Sequence, residues 1–181
     1  MQVYNAPLRD MRFVLNELHN DDGFGDLPGM EDFDTDLTDA VLEEAAKFCR
    51  DILLPLNRSG DEEGCTHENG VVRTPKGFKD AYDQFTAAGW AALASDPEYG
   101  GQGLPEALNK LVEEMICSAN LSFSLYPGLT HGGTTAIKGH GSDELKAKWL
   151  PKMISGEWSG TMCLTEPHCG TDLGMLRTKA E

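Results

Sequence analysis

Apolar residues recur at three- and four-residue steps through most of this chain, and the recurrence stops at Gly156. A period near 3.6 puts such residues on one helix face, so the pattern demands a packed set of amphipathic helices. Leu8, Met11, Val14, Leu15 and Leu18 form the first stripe, with Pro7 near its start. Gly23, Gly25, Pro28 and Gly29 read as a loop, which makes this helix a separable extension. A second helix is predicted to begin near Asp36 or Thr38, both suitable N-caps. Its stripe is Leu37, Val41, Leu42, Ala45, Cys49, Ile52 and Leu56, and Pro55 should bend or end it. The polar stretch 57–70 reads as a loop.

Thr74 and Pro75 form a cap and first-turn pair before a helix that buries Phe78, Ala81, Tyr82 and Phe85 and stops at Gly89. A turn over 96–103 leads to Pro105. The helix it opens faces Leu108, Leu111, Val112, Met115, Ile116 and Ala119 inward. Another runs from Leu129 to Lys138. Ser142 caps the last helix, which should bury Leu145, Trp149, Leu150 and Met153 before Gly156 ends it. The fold class is therefore mainly α. From Trp158 to Thr165 the helical stripe gives way to β-favouring residues, read as one strand entering a sheet-based unit. A lone strand leaves its backbone groups unpaired, so the chain is expected to be a fragment, or to be completed by something else. The expected divisions are 1–34, 35–157 and 158–181.

Composition narrows the functions. A net charge of −15 argues against a nucleic-acid surface. The acidic residues cluster in 21–39 and 61–68, read as solvated loops. Asp32, Asp34 and Asp36 alternate like the start of a calcium loop, but the glycine and glutamate that such a loop needs are missing. No apolar run spans a bilayer, and Met1 opens a polar stretch without a signal-peptide core. Five cysteines without a paired spacing point to reduced thiols in the cytoplasm.

Three motifs invite sharper readings. Tyr99–Gly103 is glycine-rich like a phosphate loop, but Leu104 and Pro105 interrupt the fingerprint, which leaves a turn between helices. Cys163, His168 and Cys169 lack the paired knuckles of a zinc site, so no metal is expected. Either cysteine would need an activating base to act as a nucleophile, and the sequence places none. The segment Gly160–Gly174 combines a β-favouring run with a Pro- and Gly-bearing turn. Alternation puts Met162, Leu164 and Glu166 on one face and Thr161, Cys163 and Thr165 on the other. Its amides and hydroxyls could edge a flat, polar-rimmed ring; an ordinary sheet-edge turn is the alternative.

The run Met162–Asp172, with Thr165-Glu166-Pro167 at its centre and Gly170-Thr171-Asp172 at its end, resembles the flavin-binding signature of the acyl-CoA dehydrogenase family. That signature reads (aromatic or small)-x-(aliphatic)-Thr-Glu-Pro-x-(Ala)-Gly-Ser-Asp. Pro97–Leu104 is similar to the family's inter-helix turn, and Ser155–Gly160 to its entry into a central β-domain. The resemblance covers residues 36–181. Tyr4–Phe13 resembles the N-terminal extension of a larger bacterial subgroup, which includes long-chain and 3-(methylthio)propanoyl-CoA dehydrogenase-like enzymes.

The resemblance implies an N-terminal helical domain over 35–157 and the start of a middle β-domain after it. It implies FAD as cofactor, an acyl-CoA substrate, an electron-transfer flavoprotein as acceptor and a homo-oligomer at full length. The reaction implied is α,β-dehydrogenation, with the proton taken by a Glu and the hydride by flavin N5. Met162, Leu164, Thr165, Gly170 and Thr171 fall at flavin-contacting positions, and Thr171 also near the CoA arm. Thr171 stands where the family has Ser, and Cys169 where it has Ala. Tyr126, Leu129, Thr130 and His131 map onto the helix that lines the acyl tail; core packing is their alternative role. The second flavin strand and the domain carrying the catalytic Glu have no counterpart in these residues, so no catalytic residue is assigned and the chain alone is expected to be inactive. A helical interaction module and an oxygen-reacting acyl-CoA oxidase-like enzyme are the competing readings.

Overall fold

A computed structural model describes residues 3–18 and 35–179. The Gly23–Gly29 loop and Asp32–Asp34 lie outside the described residues. The first helix, α1 (Leu8–Phe13), runs into a π-turn at Val14–Leu18. It is packed on the body: Met11 and Leu15 enter the common core, and Arg12 donates to Asp39 (2.9 Å) and Glu43 (2.7 Å).

The second helix, α2, covers Thr35–Phe48, so Thr38 lies inside its first turns and is buried. The buried line is Thr38, Leu42, Ala45, Cys49 and Leu53, whereas Leu37 is exposed. Pro55 neither ends nor breaks the rod. A π-turn at Cys49–Leu53 widens the backbone just ahead of it, and Pro55 then stands in the first turn of α3 (Leu54–Glu63). There the N–H that proline lacks has no helical partner to lose. Half of the expected loop is thus helix. The rest contains a hairpin, β1 (Thr66–Glu68) and β2 (Val71–Arg73), paired antiparallel with Glu68 opposite Val71. Asn69 (φ 51°) and Gly70 (φ 79°) turn it, the Asn-Gly choice that a two-residue hairpin loop favours.

Thr74-Pro75 does not cap the next helix. α4 (Phe78–Ala87) starts after Gly77, and Phe78 N–H bonds back to Pro75 O (3.2 Å). Phe78, Ala81 and Phe85 are buried as the spacing predicts. The glycine-rich stretch is a turn: Asp96 Oδ1 accepts from Glu98 N–H (2.9 Å) and Asp96 O from Gly101 N–H (2.9 Å).

The longest rod, α5, runs from Glu106 to His140 with a break at Asn120, whose backbone is extended (φ −158°, ψ 88°). Asn120 is buried and bonded at both ends of its amide. Its Oδ1 accepts from Phe123 N–H (3.0 Å), recapping the second half, and its Nδ2 donates to Leu53 O (3.1 Å). The second half therefore begins well before Leu129. Phe123 is fully buried against Phe85, at a ring distance of 5.6 Å.

Ser142 caps α6 (Asp143–Ile154) by accepting from Leu145 N–H (3.3 Å). Leu150, Met153 and Ile154 face the core, but Leu145 and Trp149 are 47% and 37% exposed. Their face of α6 has no covering element among the described residues; Trp149 packs on Trp158 at 5.1 Å.

The strand expected over 158–165 does not form. Those residues are irregular, because no second strand is there to pair with them among the described residues. The one β contact nearby is the Glu166–Cys169 bridge that closes a four-residue turn. The architecture is thus mainly α, with a peripheral hairpin and a non-helical C-terminal segment.

Candidate functional site

The C-terminal segment is tied to the helical body in four steps. Tyr82 Oη donates to Gly156 O (3.0 Å), and Trp158 N–H bonds to Lys152 O (2.9 Å). Lys152 Nζ lies 4.6 Å from the Trp158 ring centroid. Gly160 N–H then donates to Thr130 Oγ1 (3.1 Å). A Cβ on Gly160 would lie 3.1 Å from Thr130 Cα and 3.2 Å from Leu129 O, so a side chain there would crowd the α5 backbone and shift the contact by a few tenths of an ångström.

Beyond Gly160 the character changes. Thr161 to Thr165 are all exposed, Met162 at 65% and Leu164 at 40%. Their backbone N–H groups have no hydrogen-bond partner among the described residues. The same holds for the hydroxyls of Thr165 and Thr171.

The turn that follows is internally braced. Glu166 and Cys169 exchange backbone bonds of 3.0 and 3.1 Å. The Glu166 carboxylate accepts from Thr178 Oγ1 (2.6 Å), Thr178 N–H (2.8 Å) and Arg177 N–H (3.1 Å). These bonds, the Thr178 hydroxyl foremost, hold its carboxyl below the usual glutamate range. Cys169 is buried, while Gly170 and Thr171 are exposed. Of the three residues considered for zinc, His168 and Cys169 group with Glu166, and Cys163 does not. His168 Nε2 is 3.0 Å from Met175 O, and the Glu166 oxygens already brace the turn.

The helix residues expected at an acyl pocket divide between two faces. Leu129 and His131 border a cavity of about 270 Å³ whose apolar walls include Trp90, Val112, Ile116 and Leu125. Tyr126 and Thr130 do not border it. Tyr126 packs on Tyr82 and Phe123, each at 6.4 Å, and Thr130 is buried with its hydroxyl donating to Tyr126 O (2.9 Å). His131 Nε2 lies 3.5 Å from Glu106. Sequence reasoning missed Asn120, and it placed Tyr82 on the packed face of α4 without its bond to Gly156. The Asn120–Leu-Ser-Phe123 spacing carries a legible N-cap signal; nothing local marks Tyr82 as an anchor.

A flat ring with polar edges suits this arrangement chemically. Apolar side chains and unengaged amides stand together on a segment anchored at one end and braced at the other. No helix among the described residues is long and apolar enough to cross a membrane.

The structure is thus a helical body leading into an exposed, internally braced Thr-Glu-Pro turn. Residues 35–157 match the family model for the acyl-CoA dehydrogenase N-terminal domain. The chain is 43% identical over 178 residues to 3-methylmercaptopropionyl-CoA dehydrogenase of Ruegeria pomeroyi, covering 98% of this chain and 30% of that one. It is 37% identical over 185 residues to a butyryl-CoA dehydrogenase of Syntrophomonas wolfei, covering 97% and 29%. This chain therefore belongs to the acyl-CoA dehydrogenase family, and it spans about 30% of the length of those relatives. The fold agrees with solved structures. Butyryl-CoA dehydrogenase from Megasphaera elsdenii superposes with a TM-score of 0.65 at 22% identity, over 79% of this chain and 36% of that one. An acyl-CoA dehydrogenase from Bacillus anthracis, complexed with FAD, gives 0.62 at 23% identity, over 79% and 23%.

Proposed function

We propose that this chain is the N-terminal part of an FAD-dependent acyl-CoA dehydrogenase that performs α,β-dehydrogenation of an acyl-CoA thioester. The observation that carries this reading is the row of unengaged, exposed amides from Thr161 to Thr165 in front of the braced Thr-Glu-Pro turn. Met162 and Leu164 would hold the flavin ring by its face, and the Leu164 amide and the Thr165 hydroxyl would bind its polar rim. Gly170 and Thr171 receive the phosphates, and the Thr171 hydroxyl the CoA arm. When bound, FAD supplies the hydride acceptor. Leu129 and His131 take the acyl tail in the apolar cavity beside them. Tyr126 and Thr130 hold that helix from behind, a supporting part in substrate binding.

The proposed organisation is an extension over 1–34, the helical domain over 35–157 and the start of a β-domain over 158–181. None of these residues is assigned as the general base; that role falls to a Glu in the domain that the family carries further along. The same reading includes a homo-oligomer, an electron-transfer flavoprotein as acceptor and a cytoplasmic setting. The free, exposed Cys65, Cys117 and Cys163 favour a reducing compartment.

The test is the visible absorbance of the purified full-length protein. Bound FAD is expected, with anaerobic bleaching by at least one of butyryl-CoA, 3-methylmercaptopropionyl-CoA and a long-chain acyl-CoA. Absence of flavin, or no bleaching by any of the three, overturns the reading. The 181-residue chain alone is expected to reduce no dye with these substrates.

A further inference from the structure

One turn of α5 borders the apolar cavity and anchors the C-terminal segment. Leu129 and His131 look into the cavity, and Thr130 between them holds Gly160. The Thr130 hydroxyl hydrogen is committed to Tyr126 O (2.9 Å), so its lone pair is directed at Gly160 N–H (3.1 Å). Thr130 is buried, which shields this bond from competing water. Gly160 is also the last residue of the segment with a hydrogen bond to the helical body among the described residues. Met162 follows two residues later, about 7 Å along an extended chain.

We infer that Thr130 is a positioning residue: through Gly160 it sets where the Met162–Thr165 segment stands relative to the acyl cavity. The inference rests on the proposed function, since it takes that segment as the flavin wall. The hydroxyl touches neither substrate nor cofactor. It fixes the distance between the wall for the ring and the wall for the acyl tail, because both hang from the same helical turn. Tyr82 contributes a second anchor four residues earlier, at Gly156. Misplacing reacting groups by about 1 Å costs up to two orders of magnitude in rate, so one lost anchor has a measurable kinetic effect.

The experiment uses the full-length holoprotein with Thr130→Val, Thr130→Ser and, as a control, Thr134→Val. Thr134 is buried on the same helix, but among the described residues its hydroxyl serves only the local His131 carbonyl (2.8 Å). Two readouts are taken: amide hydrogen exchange across 160–165, with and without FAD, and the single-turnover rate of flavin bleaching by butyryl-CoA or whichever acyl-CoA bleaches the wild type. Thr130→Val is expected to speed exchange in that segment and to slow bleaching by roughly 10-fold. Thr130→Ser should stay within about twofold of wild type, because it keeps the acceptor lone pair. Thr134→Val should leave both readouts unchanged. Wild-type exchange and bleaching in Thr130→Val, or equal slowing in Thr134→Val, overturns the inference while the functional reading stands. A wild-type protein without flavin removes both. Should Thr130→Val fail to fold, Gly160→Ala tests the contact from the other side, since its new methyl meets Thr130 Cα at 3.1 Å. The same acceleration and slowing are then expected, and wild-type values overturn the inference.

Discussion

The helical body and the segment after Gly160 are built on opposite terms. In the body, side chains carry the structure: Leu42, Cys49, Leu53, Met115 and Phe123 are sealed from solvent. In the segment the backbone carries it, through a four-residue turn and one glutamate, while nearly all side chains stay exposed. The body completes a hydrophobic core within its own residues. The segment displays apolar side chains and free amides that a packed sheet or a ring would consume. The proposed flavin site would use this division, with a stiff scaffold on one side and an unfinished surface on the other.

The comparison breaks most visibly at Phe123. Its ring meets Phe85 at 5.6 Å, Tyr82 at 6.4 Å and Phe78 at 6.5 Å. Phe123→Ala is expected to cost about 3–5 kcal/mol in denaturant unfolding, as a fully buried aromatic does. No substitution of an exposed residue in 161–165 should approach that; an equal cost at Met162 would erase the distinction.

A smaller effect is expected at Asn120. Removing its amide strands the Leu53 carbonyl and the Phe123 N–H inside the core. Asn120→Ala should cost about 2 kcal/mol, with α5 fraying around the break. Unfolding midpoints for Ala and wild type read this directly, and coincident curves would remove the capping role.

The smallest effect belongs to the segment itself. Hydrogen bonds from Thr178 and Arg177 depress the Glu166 pKa below its ordinary 4.5. A depressed carboxyl contributes its stabilisation fully above the ordinary value and loses it as pH falls through the folded value. Exchange at the Arg177 and Thr178 amides should therefore accelerate as pH drops below 4.5, after correction for intrinsic chemistry, while the body stays protected. Glu166→Gln should show fast exchange at these amides already at neutral pH. Protection that ignores both changes would show that the brace lies elsewhere.

Much of this was legible in the residues, where the pattern is local. The stripes of α4 and the first half of α5, the Ser142 cap and the Asp96–Gly103 turn follow from spacing and turn chemistry alone. Pro55 misleads because its usual penalty is absorbed by the π-turn ahead of it, a backbone device that side-chain identity does not announce. The hairpin at Asn69-Gly70 reads as loop, because its strands are three residues each and exposed, and the Asn-Gly signal stands without a flanking apolar alternation. Leu145 and Trp149 match a buried stripe by spacing, yet both stay exposed among the described residues, even with Trp158 packed on Trp149. At the site, the order of Met162 to Asp172 identifies the family, but the anchors at Tyr82 and Thr130 are 74 and 30 residues from their partners. Only the fold reveals contacts of that range.

The central claim is that Met162 to Thr165 form one wall of a flavin site. The most direct measurement is amide hydrogen exchange of the full-length protein, FAD-free and FAD-loaded, resolved across 158–172. The account predicts that FAD slows exchange at Leu164 and its neighbours well beyond any change in α2 or α3. Unchanged exchange over 161–165, with protection appearing elsewhere, would contradict it.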